Sequence, residues 1–260
     1  MNDKYIGVFD SGIGGLTVVK ALIKALPYQN IIYFGDTKNM PYGNKPNEEI
    51  INCVKNAVSF LNRFELEAIV IACNTADSVA SNTIRNIYNL PIYGVIEPTC
   101  KVALNTTKNN KIGVIATNAC IESNEYEITL HKYNNTVNVY SKACPLLAQF
   151  IEEGNFDIGN DQMRSMIKDY VDPLIKKNID TLILGCTHYD LIMDICRDMY
   201  PNIQILSSSQ CVIEDVKKEI INNENKKADR QYYVSADSNK FKQIVSSFMG
   251  DIEVKEANNN

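Results

Sequence analysis

The sequence predicts an α/β protein made of two related halves, each with a parallel sheet. Three observations carry this. Short, β-branched apolar runs alternate with longer amphipathic stretches along all 260 residues. Strands separated by helical stretches of about 10–15 residues signal βαβ units and a sheet buried on both faces. The composition, 45% hydrophobic and 22% charged, is that of a globular chain. The chain also echoes itself. Ile6-Gly7-Val8-Phe9-Asp10-Ser11 is answered by Ile112-Gly113-Val114-Ile115-Ala116-Thr117, and Ala68-Ile69-Val70-Ile71-Ala72-Cys73-Asn74-Thr75 by Thr181-Leu182-Ile183-Leu184-Gly185-Cys186-Thr187. The offsets are 106 and 113, in the same order. Repetition of a supersecondary unit at similar offsets suggests a duplicated architecture.

Apolar, β-branched content places strands at Tyr5–Asp10, Ile31–Gly35, Ala68–Cys73, Ile92–Ile96, Lys111–Ala116, Thr136–Tyr140, Thr181–Gly185, Gln204–Leu206 and Tyr232–Ser235. Helical spacing of apolar residues places helices at Gly15–Leu26, Asn47–Arg63, Asp77–Tyr88, Thr99–Asn105, Asn124–Tyr133, Pro145–Glu153, Asp161–Lys177, Asp190–Tyr200, Gln210–Asn222 and Asn239–Met249. No apolar run approaches the roughly 20 residues of a membrane span, so no membrane role is expected. The N-terminus shows no basic segment leading into an apolar one, so a cytoplasmic location is expected. A net charge of −5 argues against general nucleic-acid binding. The eight cysteines, at 53, 73, 100, 120, 144, 186, 196 and 211, show no Cys-x-x-Cys spacing. Zinc and thioredoxin patterns are therefore absent, and free thiols are expected.

Chemistry in parallel sheets gathers beyond the carboxyl ends of the strands. Five segments there stand out. Asp10-Ser11-Gly12-Ile13-Gly14-Gly15 opens a helix without being a phosphate loop: Thr17 stands where a dinucleotide fingerprint needs glycine, and there is no Gly-Lys-Ser/Thr. It is either a tight turn capped by Asp10 or a small-molecule site in which Asp10 accepts from a cation and Ser11 donates. Cys73 and Cys186 each end a strand, and a thiol at a helix N-terminus is expected to have a lowered pKa. Singly, each is as readily a buried structural cysteine. As a pair in related halves, they would face one ligand from opposite sides. That geometry suits removal of a proton from one face of a carbon and its return to the other. His188, two residues after Cys186, is a weak metal signal and a better hydrogen-bond or proton-relay partner. His131 reads as structural or exposed. Gly35 to Gly43 and Cys144 to Gly154 are, alone, a turn-rich loop and a helix with an acidic, solvated face.

Taken together, Asp10-Ser11-Gly12-Ile13-Gly14-Gly15-Leu16, Gly35-Asp36-Thr37 with Pro41-Tyr42-Gly43, Ala72-Cys73-Asn74-Thr75-Ala76, Glu152-Glu153-Gly154 and Leu184-Gly185-Cys186-Thr187-His188-Tyr189 resemble glutamate racemase. The resemblance implies two flavodoxin-like domains facing each other across a central active-site cleft. The first would comprise residues 1–97 plus 208–260, the second 98–207. It implies cofactor-independent interconversion of L- and D-glutamate, supplying D-glutamate for peptidoglycan, with no metal. Cys73 and Cys186 take the roles of the two acid/base residues, Cys73 acting on the D enantiomer and Cys186 on the L. Asp10 and His188 take the roles of their partners. Ser11, Tyr42, Gly43, Asn74, Thr75 and Thr187, with Asp10 and His188, correspond to the substrate-binding set. Glu153 takes the place of the acidic residue near the histidine, with Glu152 a neighbouring candidate. Glutamate is the implied partner, and a homodimer is compatible with the resemblance.

Four positions depart from the expected pattern: Asp77, Lys38-Asn39-Met40, Ala148-Gln149-Phe150 and Ser207-Ser208-Ser209. His188, in place of an acidic residue after Cys-Thr, separates the chain from aspartate racemases. Two intact cysteine motifs separate it from hydantoin racemases and one-cysteine decarboxylases. A two-lobed amino-acid-binding protein without catalysis is the remaining alternative.

Overall fold

The computed structural model describes residues 4–220 and 227–257. Its strands are β1 Tyr5–Asp10, β2 Asn30–Gly35, β3 Leu66–Ile71, β4 Ile92–Gly94, β5 Lys111–Ala116, β6 Asn138–Ala143, β7 Thr181–Gly185, β8 Gln204–Ser207, β9 Arg230–Val234 and β10 Val254–Glu256. Its helices are α1 Leu16–Ala25, α2 Asn47–Leu61, α3 Asn74–Ile87, α4 Ile96–Thr106, α5 Asn118–Glu122, α6 Glu125–Tyr133, α7 Leu147–Glu152, α8 Asp161–Ile175, α9 Met193–Met199, α10 Ser208–Glu219 and α11 Ser238–Met249. Two 3-10 turns, Tyr42–Asn44 and Thr187–Ile192, lie beside the strand ends that matter most.

The strands form two sheets. One runs β10-β9-β2-β1-β3-β4, the other β6-β5-β7-β8. Every pairing is parallel. The order β2-β1-β3-β4 of the first is repeated as β6-β5-β7-β8 in the second. The sequence echo is thus topological: β1 corresponds to β5 and β3 to β7, each pair holding the same place in its sheet.

Alternation along the strands makes the layers. Ile6, Val8, Tyr33 and Val70 enter one buried cluster, while Phe9, Ile32, Ile69 and Ile71 enter another on the opposite face. In the second sheet Ile112 and Val114 join that first cluster, and Ile115, Leu182 and Leu184 form a third. The first cluster is therefore shared by both sheets. Leu16, Val19 and Leu22 of α1, Cys100 and Ala103 of α4, and Val212 and Val216 of α10 fill it, all buried. At roughly 1.5–3 kcal/mol for each fully buried aliphatic side chain, this common layer is what fixes one sheet against the other.

Several boundaries differ from expectation for local reasons. Asn134 Oδ1 accepts from both the Thr136 amide and its hydroxyl, closing an Asx turn, so β6 begins at Asn138 and not at Thr136. The main chain leaves β3 at Ile71, and Cys73 becomes the N-cap of α3. The stretch from Thr187 starts as a 3-10 turn and becomes α-helical only at Met193. The last residues expected of the Gln210–Asn222 helix, Ile221 and Asn222, lie outside the described residues.

Candidate active site

The carboxyl ends of β1, β3, β5 and β7 meet at one small cavity of about 30 Å³. Ser11, Tyr42, Gly43, Cys73, Asn74, Thr75, Thr117, Glu152, Cys186, Thr187 and His188 line it, together with Pro41 and Ala148. That space holds a water or two. An amino acid enters only if the walls part.

The two halves clasp each other crosswise. From the first, Asp10 Oδ2 accepts a hydrogen bond from Thr187 Oγ1 at 3.0 Å. From the second, Thr117 Oγ1 meets Thr75 Oγ1 at 2.8 Å. Asn74 bridges by donating to Ser208 Oγ at 2.9 Å and accepting from Tyr126 Oη at 2.6 Å. The glycines permit the approach: a Cβ on Gly14 would lie 2.7 Å from the His188 amide nitrogen, and one on Gly43 2.7 Å from Thr117 Cβ. Thr117 was not singled out for the site, although it is the echo partner of Ser11.

The thiols sit in different fields. Cys73 is buried, with Ser11 Oγ 3.5 Å from its sulfur. Burial, reinforced by the charge of Asp10, pushes its pKa up to about 12. This corrects the expectation of a lowered value at Cys73: the N-terminus of α3 is outweighed by desolvation and a neighbouring carboxylate. Asp10 is fully buried, and its own pKa is raised by desolvation. His188, the Gly12 amide at 2.8 Å and Thr187 counter that by favouring the carboxylate.

Cys186 faces a cation instead. His188 Nδ1 lies 3.6 Å from Cys186 Sγ, and His188 Nε2 lies 2.6 Å from Glu152 Oε1. Burial works against the imidazolium, but Glu152 and Cys186 together outweigh it and raise the His188 pKa well above 6.5. Glu152, not Glu153, is the acidic partner. On α7, Leu147 and Ile151 face the core, which turns Glu152 toward His188 and leaves Glu153 exposed, near Gln149 at 3.4 Å.

Tyr42 is held by Asp36. This buried carboxylate accepts from Tyr42 Oη at 2.6 Å, from Asn39 Nδ2 at 2.9 and 3.0 Å, and from Ser235 Oγ at 2.8 Å. Taken alone the segment reads as a loop and gives no sign of this anchor, because Ser235 is 199 residues away. Asp77, an unexpected residue, caps α4: its Oδ2 accepts from the Ile96 amide at 2.8 Å and its Oδ1 from Ser81 Oγ. Lys38 and Asn39 pack on the outer side of the Asp36 loop, and Ser207 and Ser209 pair at 2.9 Å at the start of α10. His131 bonds the Val137 carbonyl at 3.1 Å, a structural role. Among the described residues no cluster of His, Cys, Asp or Glu could hold a metal ion, and no helix is long and apolar enough to cross a membrane.

Two like parallel sheets, each delivering a buried cysteine to one small cavity between them, define an amino-acid racemase of the two-domain α/β class. The chain matches the Asp/Glu/Hydantoin racemase family over residues 6–216 and belongs to it. It is 41% identical over 251 residues to the glutamate racemase of Sulfurihydrogenibium sp., covering 96% of this chain and 95% of that protein. The crystal structure of glutamate racemase isoform RacE1 from Bacillus anthracis superimposes with a TM-score of 0.94 at 35% identity, covering 100% of this chain and 99% of that one. That of the Francisella tularensis glutamate racemase in complex with D-glutamate gives 0.91 at 34% identity, covering 99% and 98%.

Proposed function

We propose that this protein interconverts L- and D-glutamate by a two-base, cofactor-free mechanism, with Cys73 and Cys186 as the bases. One observation carries the proposal: the two thiols occupy equivalent strand ends of two like sheets, open on the same cavity, and have partners of opposite charge. The likeness to proteins called glutamate racemases supports glutamate as the substrate, and the D-glutamate formed would serve peptidoglycan synthesis in the cytoplasm.

The chemistry is demanding, because an amino-acid α-proton is far less acidic than a thiol near 8.5. Without a cofactor electron sink, stabilisation comes from donors aimed at the substrate carboxylate and from exclusion of water. Asn74, Thr75 and Thr187 and the amides at the start of α3 and of the 187–192 turn are placed for the first task. The small volume and mostly buried lining of the cavity serve the second. Asp10 suits the substrate ammonium group.

The order of the proton transfers follows from the partners. Cys73, with its raised pKa, keeps its proton at rest. The imidazolium of His188, anchored by Glu152, lies 3.6 Å from Cys186 Sγ and can donate a hydrogen bond to it. Cys186 then takes the α-proton of L-glutamate as Cys73 delivers its own to the opposite face. One Cα–H bond breaks and another forms, one S–H forms and another breaks, and D-glutamate leaves with the thiol and thiolate exchanged. Ser11 and the Ala76 amide stabilise the Cys73 thiolate until the resting state is restored.

The test is NMR of L-glutamate with purified protein in D2O and no added cofactor, with a chiral assay of the product. Deuterium gain at Cα together with D-glutamate is expected. Binding of glutamate with neither signal overturns the proposal in favour of a binding protein. Turnover of L-aspartate alone overturns the substrate.

A further inference from the structure

We propose that Asp190 is a positioning residue that acts as a neutral carboxylic acid, donating a hydrogen bond to Thr17 and so holding the His188-bearing turn of one half against the first helix of the other. This rests on the racemase reading and places a support outside the cavity that the reading uses. Asp190 lies in the 3-10 turn Thr187–Ile192, two residues after His188. Thr17 lies in the first turn of α1, just beyond the loop that begins at Asp10. The Asp190–Thr17 contact is therefore a further tie between the halves, near that of Asp10 to Thr187.

Proton counting carries the argument. Thr17 Oγ1 lies 2.7 Å from the Gly14 carbonyl and 3.0 Å from Asp190 Oδ2. A hydroxyl has one proton to donate. Committed to the closer carbonyl, which cannot donate, it leaves the contact to Asp190 as two facing acceptors. A carboxylate would be repelled there, whereas a carboxylic acid supplies the missing proton and completes a chain from Asp190 through Thr17 to Gly14. The other oxygen agrees: Oδ1 is buried and meets no donor in good hydrogen-bond geometry among the described residues, although the Ser207 hydroxyl and the Ser209 amide are near enough to the carboxyl to favour its charged form. An ionised carboxylate with one oxygen so placed is costly, and a neutral carbonyl oxygen much less so.

The surroundings compensate a charge on Asp190 only in part. His188 is the charged group on its own turn, and its charge pulls the Asp190 pKa down, as do Ser207 and the Ser209 amide. From α1, Lys20 and Lys24 line the same groove, and from α10, Glu214, which itself meets Lys217 at 3.4 Å. Cys211 of α10 is close enough for Asp190 to raise its pKa. Burial prevails over all of these, and the Asp190 pKa is pushed up to about 7.

The role follows from position. Gly14 abuts Thr187 and the His188 amide, so the chain Asp190–Thr17–Gly14 braces both sides of the contact that sets where His188 meets Cys186. An ångström of misplacement near a reacting centre can cost roughly 100-fold. A brace outside the cavity is expected to cost about tenfold in kcat, with KM little changed.

Difference infrared spectroscopy of the intact enzyme, wild type minus Asp190→Asn, reads the proton directly and needs no substrate. A protonated-carboxyl band at pH 6 that fades as the pH rises through 7 is expected. A carboxylate band alone at pH 6 overturns the proposal and leaves Thr17 shared between two acceptors. Asp190→Asn keeps a donor at every pH, so it should match wild-type turnover at pH 6, and its turnover relative to wild type should rise toward pH 9. Thr17→Val and Asp190→Ala should each lower kcat, and the double variant should be no worse than either alone. Should Asp190→Ala not fold, Asp190→Asn and Thr17→Val carry the test. Wild-type kcat and pH profile in Thr17→Val also overturn the proposal. Absence of wild-type racemisation of glutamate, with the infrared band present, overturns the substrate and leaves the brace standing.

Discussion

The two halves of the molecule share a plan and differ in charge. Both present a cysteine just beyond the third strand of a β2-β1-β3-β4 order, flanked by a hydroxyl residue beyond the first strand, Ser11 in one and Thr117 in the other. Where the first half ends β1 with Asp10, the second ends β5 with Ala116. Where the second half places His188 two residues past Cys186, the first places Thr75 two residues past Cys73. The anion falls on the Cys73 side and the cation on the Cys186 side. Duplication brings one cysteine from each half to the same cavity, and the substitutions that break the symmetry give Cys73 an anionic neighbour and Cys186 a cationic one.

The largest expected effect comes from removing either side of the pair. Cys73→Ala and Cys186→Ala should each abolish racemisation, a loss of at least the roughly 10²–10⁴-fold that a positioned acid or base provides. The fold should survive, since each truncation removes one sulfur beside a cavity. Each variant should still exchange the α-proton of a single enantiomer with solvent, L for Cys73→Ala and D for Cys186→Ala. Exchange of both enantiomers by either variant would mean that the halves are not specialised.

The asymmetry itself is tested at His188 and Asp10. Because the enantiomers are equal in free energy, kcat/KM must remain the same in both directions whatever is mutated, so a comparison of forward and reverse efficiencies is uninformative. Isotope effects are not bound in this way. His188→Asn removes a charge-assisted hydrogen bond worth about 1.5–3 kcal/mol, roughly 10- to 150-fold in rate. It slows the step at Cys186, so the substrate-deuterium effect should rise for L-glutamate and fall for D-glutamate. Asp10→Asn should do the reverse. Identical shifts in the two variants would sink the assignment of one partner to each thiol. Stability carries the same information. The folded His188 pKa is raised, so its contribution is fully present below about pH 6.5 and is lost as pH rises toward the folded value. The stability gap between wild type and His188→Asn should therefore be level below pH 6.5 and shrink above it, as read by denaturant melts.

A smaller effect is expected away from the pair. Asp77 caps α4, and Gly94 lies so close that any Cβ there would collide with its carboxylate. Asp77→Ala should cost about 0.5–2 kcal/mol, the usual worth of a helix cap, while the isotope effects stay as in wild type. A change in isotope effects without a loss of stability would place Asp77 in the chemistry.

What could be read from the residues was whatever is local or repeated. The strands were legible because residues buried on both faces leave an unbroken apolar run, as at Ala68 to Ala72. The two cysteines were legible because the chain says the same thing twice. Features that depend on distant partners were not. Nothing near Asp36 announces that Ser235 will complete its hydrogen bonds. The strand at Val254–Glu256 pairs with β9 at the sheet edge, is partly exposed and carries two charged residues of three, so no hydrophobic pattern marks it. The acidity of Cys73 was misjudged because a helix N-terminus is visible in a sequence and burial beside Asp10 is not.

Glu152 and Glu153 are the sharpest case of that limit, and the smallest predicted effect belongs to the second. Successive helical residues point about 100° apart, so one of two adjacent glutamates faces any given partner, and composition cannot say which. The choice is made by Leu147 and Ile151, whose burial fixes the rotation of α7 and brings Glu152 to 2.6 Å from His188. Glu152→Gln keeps the shape and removes the anion, so the imidazolium loses its main support and the deuterium effect for L-glutamate should rise as in His188→Asn. Glu153→Gln should leave turnover unchanged and stability within about 0.5 kcal/mol, as for surface substitutions in general. If Glu153→Gln proved the damaging change and Glu152→Gln the silent one, α7 would have to turn by about one residue on substrate binding, and the charge on the Cys186 side would be delivered only in the closed complex.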